Sequence, residues 1–265
     1  MSILDDYIEI NKQSWNDKVD YHLNSDFYDV DSFRSGKSSL NSIELNLLGD
    51  IKGKKVLHLQ CHFGMDSISL ARMGAEVTAV DFSEKAIETG LQLANEENIK
   101  IQFICSDVLT LDHVLEDQFD IIFTSYGTIG WLHELEKWAK IVRHFLKPAG
   151  KFIFVEFHPV VWMFSDEFNS VAFSYFQSDP IIEKTQGTYA DREADQEFTT
   201  ISWNHSIGEV FASLTGQGLK IVDLKEYDYS PYNCFLGMEE FEAGKYRIAH
   251  FENRIPMVYS LVASY

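Results

Sequence analysis

The side chains of this sequence that can do chemistry sit where its apolar runs end. Asp81 closes the run around Val77–Val80, Ser106-Asp107 follows Ile101–Ile104, Ser125-Tyr126 follows Phe119–Phe123, and Glu156-Phe157-His158 follows Phe152–Val155. An acid at the tip of a strand can accept hydrogen bonds from both hydroxyls of a ribose. A histidine at such a tip titrates near neutrality, which makes His158 the general-base candidate, against the plainer reading of a histidine that caps a strand. His62, in the loop after the first strand, is placed to contact a cofactor or a product carboxylate. His205 opens a late helix, where a structural part competes with a substrate-facing one, and His58 sits inside a strand as a core residue. Tyr126, Trp131, Trp162 and Tyr232 are candidates for an aromatic substrate wall able to hold a cation, the competing reading being core packing. Trp138, on an apolar helical stripe, is assigned to the core. No two histidines share a turn of an expected helix, and Cys61, Cys105 and Cys234 have neither zinc-like nor redox spacing, so no metal is expected. Neither a Ser-His-Asp or Cys-His arrangement nor a Gly-x-x-x-x-Gly-Lys phosphate loop is apparent.

The element that must position these groups is the stretch Lys55–Asp81. Val56, Leu57 and Leu59 make a short buried strand, Cys61–Gly64 a tight connection, and Ile68, Leu70, Ala71 and Met73 a short helix that Gly74 stops. Val77–Val80 then give a second strand ending on Asp81. This is a βαβ unit, and the carboxyl ends of its parallel strands border a crevice for a nucleotide-like ligand. Ser83 caps a helix carrying Ala86, Ile87, Leu91 and Ala94, and a helix over 132–145 precedes the Lys147-Pro148-Ala149-Gly150 stop. Ser206 opens a helix through Gln217, Leu219–Tyr227 form a sixth strand, and Met257–Ala263 the last one. With no covering helix between these two, the last strand is expected to be antiparallel.

The remaining chain divides into a cap and two insertions. Residues 1–54 form an N-terminal helical cap or lid, with Leu4, Tyr7, Ile8 and Trp15 on a helix face, an ordered loop over Tyr21–Phe33 and a helix over Ser39–Leu48. Residues 55–265 form the main domain, interrupted at about 160–204, which includes a small antiparallel segment, and at about 228–254. Long irregular connections of this kind serve as lids or binding loops.

A net charge of −19 repels phosphate backbones, so nucleic acid is excluded as a partner. Hydrophobic residues at 45% and charged residues at 24% suit a globular domain with a buildable core. No apolar run approaches the roughly 20 residues of a membrane span, and the N-terminus lacks a signal peptide, so a cytoplasmic protein with free thiols is expected.

Alternating β/α units followed by a helix and two terminal strands resemble the Rossmann-like S-adenosylmethionine-dependent methyltransferases. The resemblance implies an α/β fold: a doubly wound, seven-stranded sheet with an antiparallel last strand and helices on both faces. It implies S-adenosylmethionine as cofactor, with S-adenosylhomocysteine as product and a small-molecule acceptor. By the same resemblance, Leu59, Gln60, Cys61, His62 and Gly64 line the cofactor loop, Asp81 and Phe82 hold the ribose, Ser106, Asp107 and Val108 meet the adenine, Ser125 faces the methyl donor, and Arg34 pairs with the cofactor carboxylate. His-Leu-Gln-Cys-His-Phe-Gly at 58–64, Glu-Phe-His-Pro at 156–159 and Trp-Asn-His at 203–205 are similar to a bacterial subgroup of uncharacterised enzymes of this kind. The wider family writes the loop acid-x-Gly-x-Gly-x-Gly, whereas His58, Gln60 and His62 stand here in place of the acid and the first two glycines. Gln60 and His62 must therefore be strained or point away, which leaves open how the methionine end is held. A nicotinamide-dependent oxidoreductase and a non-catalytic nucleoside-binding relative are the alternatives. A monomer and a homodimer are both compatible with the sequence.

Overall fold

A computed structural model describes residues 6–176 and 179–265; Leu4 lies outside the described residues. The apolar runs become strands β1 (Lys55–Leu59), β2 (Glu76–Asp81), β3 (Gln102–Cys105), β4 (Phe119–Ser125) and β5 (Leu146–Phe157), with β8 (Lys220–Tyr227) and β11 (Val258–Ser264) later in the chain. They form one seven-stranded sheet in the order β3-β2-β1-β4-β5-β11-β8. The first five are parallel, and β11 runs antiparallel to both β5 and β8. The strand order reverses between β1 and β4, and a crevice opens beyond the carboxyl ends of strands at such a point.

Successive residues of β1 point to opposite faces, which divides the core in two. Leu57 and Leu59 pack with Trp138, Val142 and Phe145 of α6 (Leu135–Phe145) and with Leu214 of α7 (Ile207–Gly216). Val56 packs on the other face with Leu70 of α4 (Met65–Arg72) and Ile87 of α5 (Glu84–Glu96). Ser83 caps α5 by accepting from the Ala86 amide at 3.0 Å. His58 is a core residue, its Nδ1 2.7 Å from Ser67 Oγ.

Three expectations change. The segment expected as a loop over Tyr21–Phe33 is helical at both ends: Tyr21, His22 and Leu23 finish α1 (Tyr7–Leu23), and Val30–Phe33 belong to α2 (Val30–Arg34). The helix expected over Ser39–Leu48 begins only at α3 (Ser42–Leu48), where the Asn41 amide donates to Glu44 Oε1 at 3.1 Å. The Lys147–Gly150 stop is absorbed into β5 as a register shift against β4, with Ala149 left-handed at φ 61°.

Between β5 and α7 lies an antiparallel pair, β6 (Ile181–Gln186) with β7 (Glu197–Ser202). Between β8 and β11 lies a second pair, β9 (Met238–Glu242) with β10 (Lys245–Ile248). α1 lies across the carboxyl end of the sheet between α5 and β7. Lys12 pairs with Glu84 at 2.9 Å on one side, and Asn11 exchanges two hydrogen bonds with Ile201 on the other. No helix among the described residues is long and apolar enough to cross a membrane.

Candidate functional site

The turn from β1 into α4 keeps a glycine-type backbone without the glycines. Gln60 (φ 53°), His62 (φ 51°) and Gly64 (φ 76°) are all left-handed. A residue with a Cβ pays roughly 1–2 kcal/mol for that conformation. Side-chain contacts hold it in place. Gln60 Nε2 donates to Thr128 O at 2.8 Å, and the His62 ring packs against Trp15 and Phe63 at centroid distances of 5.2 and 4.3 Å. His62 Nε2 is 2.9 Å from His22 Nδ1, and burial holds both imidazoles neutral, with pKa values pushed down to about 3 and about 2. At Gly64 a Cβ would stand 2.7 Å from the Phe103 ring, so any side chain there would force the ring to shift. Leu59 and Cys61 are buried at the base of the turn, the Cys61 amide donating to Val80 O at 2.9 Å.

The next two strand ends carry carboxylates along the same rim. Asp81 accepts from the His62 amide at 2.8 Å on one oxygen and from the Ser83 amide at 3.0 Å on the other. Each oxygen keeps lone-pair capacity for a further donor. Burial pushes its pKa up to about 6, against the lowering effect of those amides. The Ser106 amide donates to Asp81 O, tying the second strand end to the third. Asp107 Oδ1 accepts from the Leu109 amide at 2.9 Å, and its other oxygen has no partner among the described residues. Burial raises its pKa as well. Val108 is buried beneath it, and the Phe82 carbonyl accepts from the Cys105 thiol. Tyr7, at the start of α1, has its phenol pushed up to about 12, first by burial and then by the Asp107 charge.

Beyond β4 the chain turns around a buried carboxylate. Glu156, 1% exposed, accepts from the amides of Gly127, Thr128, Ile129 and Phe157 and from the Thr128 hydroxyl. This fixes Thr128 O beneath Gln60. It also fixes Trp131, whose Nε1 donates to Gly127 O at 2.5 Å and whose ring meets Trp15 edge-on at 5.5 Å.

α1 roofs this floor with a polar underside. Asn11, Ser14, Lys18 and His22 are all buried. Among the described residues, Ser14 Oγ, Trp15 Nε1, His22 Nε2 and, from the loop below, Gln60 Oε1 are buried without a hydrogen-bond partner. Native interiors leave few such atoms, and a cluster of them at one place calls for a ligand or water to satisfy it. With Asp81 and Asp107 this donor and acceptor set suits a nucleoside bearing an amino-acid chain.

A second wall runs along the ends of β4 and β5. Tyr126 donates from its hydroxyl to Glu44 Oε2 at 2.9 Å. Glu44 is fully buried, and burial together with the nearby Asp66 pushes its pKa up to about 7. Asp66 accepts from Ser39 Oγ at 2.6 Å and from Ser125 Oγ at 3.3 Å. Tyr126 also meets Tyr232 edge-on at 5.1 Å and Phe157 at 5.7 Å, and Phe157 leads out to the half-exposed Trp162 at 5.8 Å. Tyr232 stacks on Phe27, Phe27 meets Tyr189, and Tyr189 bonds to Tyr28 through their hydroxyls. The cap and both late insertions thus meet in one aromatic surface.

Three expected site residues stand elsewhere. His158 has both ring nitrogens engaged: Nδ1 accepts from the Val160 amide at 3.1 Å, so Nε2 carries the proton and donates to Glu226 Oε1 at 2.9 Å on β8. Both nitrogens are thus engaged, and neither offers a free lone pair in this arrangement. His205 lies under the crevice, its Nε2 donating to Leu132 O at 2.7 Å. Arg34 is drawn to the surface by Glu96 at 3.1 Å. Conversely, Lys18, His22, Glu44, Asp66 and Glu156 belong to the site although no local pattern assigns them a part in it, save Glu156 by its place after an apolar strand.

Residues 56–150 match the family model described as "Methyltransferase domain". Among curated proteins, the chain is 35% identical over 106 residues to a Ubiquinone biosynthesis O-methyltransferase of Coxiella burnetii, covering 39% of this chain and 44% of that protein. It is 32% identical over 108 residues to a Demethylmenaquinone methyltransferase of Clavibacter sepedonicus, covering 40% and 42%. The chain thus spans under half the length of these relatives. Among solved structures, a putative S-adenosylmethionine dependent methyltransferase from Listeria monocytogenes superposes with a TM-score of 0.56 at 18% identity, over 83% of this chain and 95% of the other. The chain has the fold of the S-adenosylmethionine-dependent methyltransferases, and residues 56–150, which carry the first four strand ends of the crevice, match a methyltransferase domain in sequence.

Proposed function

We propose that this protein is an enzyme that binds S-adenosylmethionine and transfers its methyl group to a small molecule. One observation carries the reading: a left-handed turn, Asp81 and Asp107 follow one another along a single rim, under a helix whose buried underside bears unpartnered polar atoms. The cofactor supplies a methyl group on a positively charged sulfur, which an acceptor atom displaces in one step. For such a step the protein has to orient the two partners and keep water out.

The residues divide accordingly. Asp81 accepts from the ribose hydroxyls, Asp107 from the adenine, and Gln60 Oε1 and Trp15 Nε1 meet the methionine end. Trp15, Trp131 and α1 exclude water. Where the acceptor atom carries a proton, Glu44 is placed to take it, since its pKa of about 7 suits exchange at neutral pH and Tyr126 already donates to it. Tyr126, Tyr232 and Trp162 form the acceptor wall. The relatives named for quinone biosynthesis match less than half of their own length. Most of the wall, at 27–28, 162, 189 and 232, lies outside the matched domain, so the acceptor is proposed no more narrowly than a small molecule.

The left-handed backbone at Gln60 and His62, which keeps the turn in the conformation glycines would give it, supports the catalytic reading over a non-catalytic one. Calorimetric titration of the purified protein with S-adenosylhomocysteine and with NAD is the test. Micromolar binding of the first and none of the second is expected. Binding of NAD alone would overturn the proposal in favour of the oxidoreductase.

A further inference from the structure

Lys18 is 7% exposed, yet no carboxylate stands within ion-pair distance of it among the described residues. Its ammonium lies near three aromatic rings: Trp15 at 5.1 Å, Phe198 at 5.3 Å and Trp131 at 6.0 Å to the centroids. These come from α1, β7 and the turn beyond β4, so the charge points into the space those elements enclose. We infer that Lys18 is the anion receptor of the crevice, binding a carboxylate carried by one of its ligands, an assignment that rests on the function proposed above.

Burying an ammonium without an anion costs several kcal/mol that cation–π contacts only partly return. Glu183 on β6, itself half-buried, raises the Lys18 pKa at longer range, but burial dominates and leaves it at about 8. The other titratable groups facing it, His22 and His62, are neutral and offer no counter-charge. The unpartnered Trp15 Nε1 on the same helix supplies a second donor next to the ammonium. One carboxylate would satisfy both, and two ligands can carry it: the amino-acid end of the cofactor, or the methyl acceptor.

The two sources are separated by comparing S-adenosylhomocysteine with 5′-methylthioadenosine, the same nucleoside thioether without the amino-acid end. Affinities are measured for the native protein, Lys18→Met and Lys18→Arg, with thermal melting to follow the fold. If the cofactor supplies the carboxylate, Lys18→Met weakens S-adenosylhomocysteine tenfold or more and methylthioadenosine less than twofold, and Lys18→Arg restores part of the loss. If the acceptor supplies it, S-adenosylhomocysteine binding is unmoved. Acetate, but not acetamide, then raises the ionisation midpoint of Lys18 followed by lysine-selective NMR. In either case Lys18→Met melts no lower than the native protein, which a lysine kept for the fold would not allow. Insensitivity of Lys18 to both S-adenosylhomocysteine and acetate overturns the inference. If the native protein binds neither nucleoside, the proposed function fails instead, and the acetate titration of the free protein alone decides the role of Lys18.

Discussion

Protonation of Asp81 should weaken cofactor binding across a defined pH window. Its folded-state pKa of about 6 stands above the ordinary 3.8 because the carboxylate is 8% exposed and meets only amide donors. For an acid raised in this way the fold favours the protonated form. The contribution to stability is complete below 3.8 and is lost as the pH rises through 6, amounting to about 3 kcal/mol at 1.36 kcal/mol per unit. Two ribose hydroxyls donating to the carboxylate would restore the charged form, so binding must expel the proton whenever Asp81 carries one. If the bound pKa returns to about the ordinary value, S-adenosylhomocysteine affinity falls about tenfold between pH 7 and pH 5, or roughly 1.4 kcal/mol. The assay is calorimetry at half-unit intervals, in two buffers of different ionisation enthalpy to count protons, on the native protein and on Asp81→Asn. Asp107 and Glu44 also titrate from raised values, so the quantity that matters is the difference between the two proteins. A pH slope that survives unchanged in Asp81→Asn would refute the reasoning.

Other outcomes follow from the same geometry. Gln60→Ala keeps the left-handed backbone and loses the bond to Thr128 O, whereas Gln60→Gly loses the bond but sheds the strain. By urea denaturation the glycine protein should be the more stable of the two by about 1–2 kcal/mol. Glu156→Gln sets amide protons against backbone donors that now face two carboxylate oxygens, and should cost about 3 kcal/mol or more in the same measurement. His158→Ala should lower stability by about 1–2 kcal/mol and leave S-adenosylhomocysteine affinity within twofold. A tenfold loss of that affinity with the fold intact would return His158 to the site.

The central sheet was legible because each parallel strand is a short apolar run closed by a turn residue, and the missing helix between the last two strands pointed to the reversed β11. α1 was only half legible for the opposite reason. Its inward positions are Asn11, Ser14, Lys18 and His22. Apolar periodicity does not mark a helix that buries polar groups, and the helix end around Tyr21–Leu23 carries no apolar period. The β9–β10 pair escaped because its residues are mostly exposed and alternate weakly. In the site, Asp81 and Asp107 could be read from strand ends, where position alone decides. His158 occupied an equally good strand end, but the tautomer set by Val160 and Glu226 is a long-range matter that no local pattern encodes. The same holds for Glu44 and Asp66, which lie 22 positions apart in the sequence and meet through Tyr126, Ser39 and Ser125.

The place of β11 between β5 and β8 has a consequence for how the molecule assembles. β8 touches the sheet through β11 alone, although it precedes β11 by some thirty positions. β8 therefore joins the sheet only once β11 has closed onto β5, about a hundred residues back along the sequence, whether or not it has already paired with β11. Non-local pairing of this kind slows folding, since loop-closure entropy is spent before the contact forms. During that interval β8 offers an open edge on which Val222 and Leu224 stay substantially exposed even in the finished fold. Substitutions that weaken the β5–β11 ladder should accordingly appear first as slow refolding and aggregation.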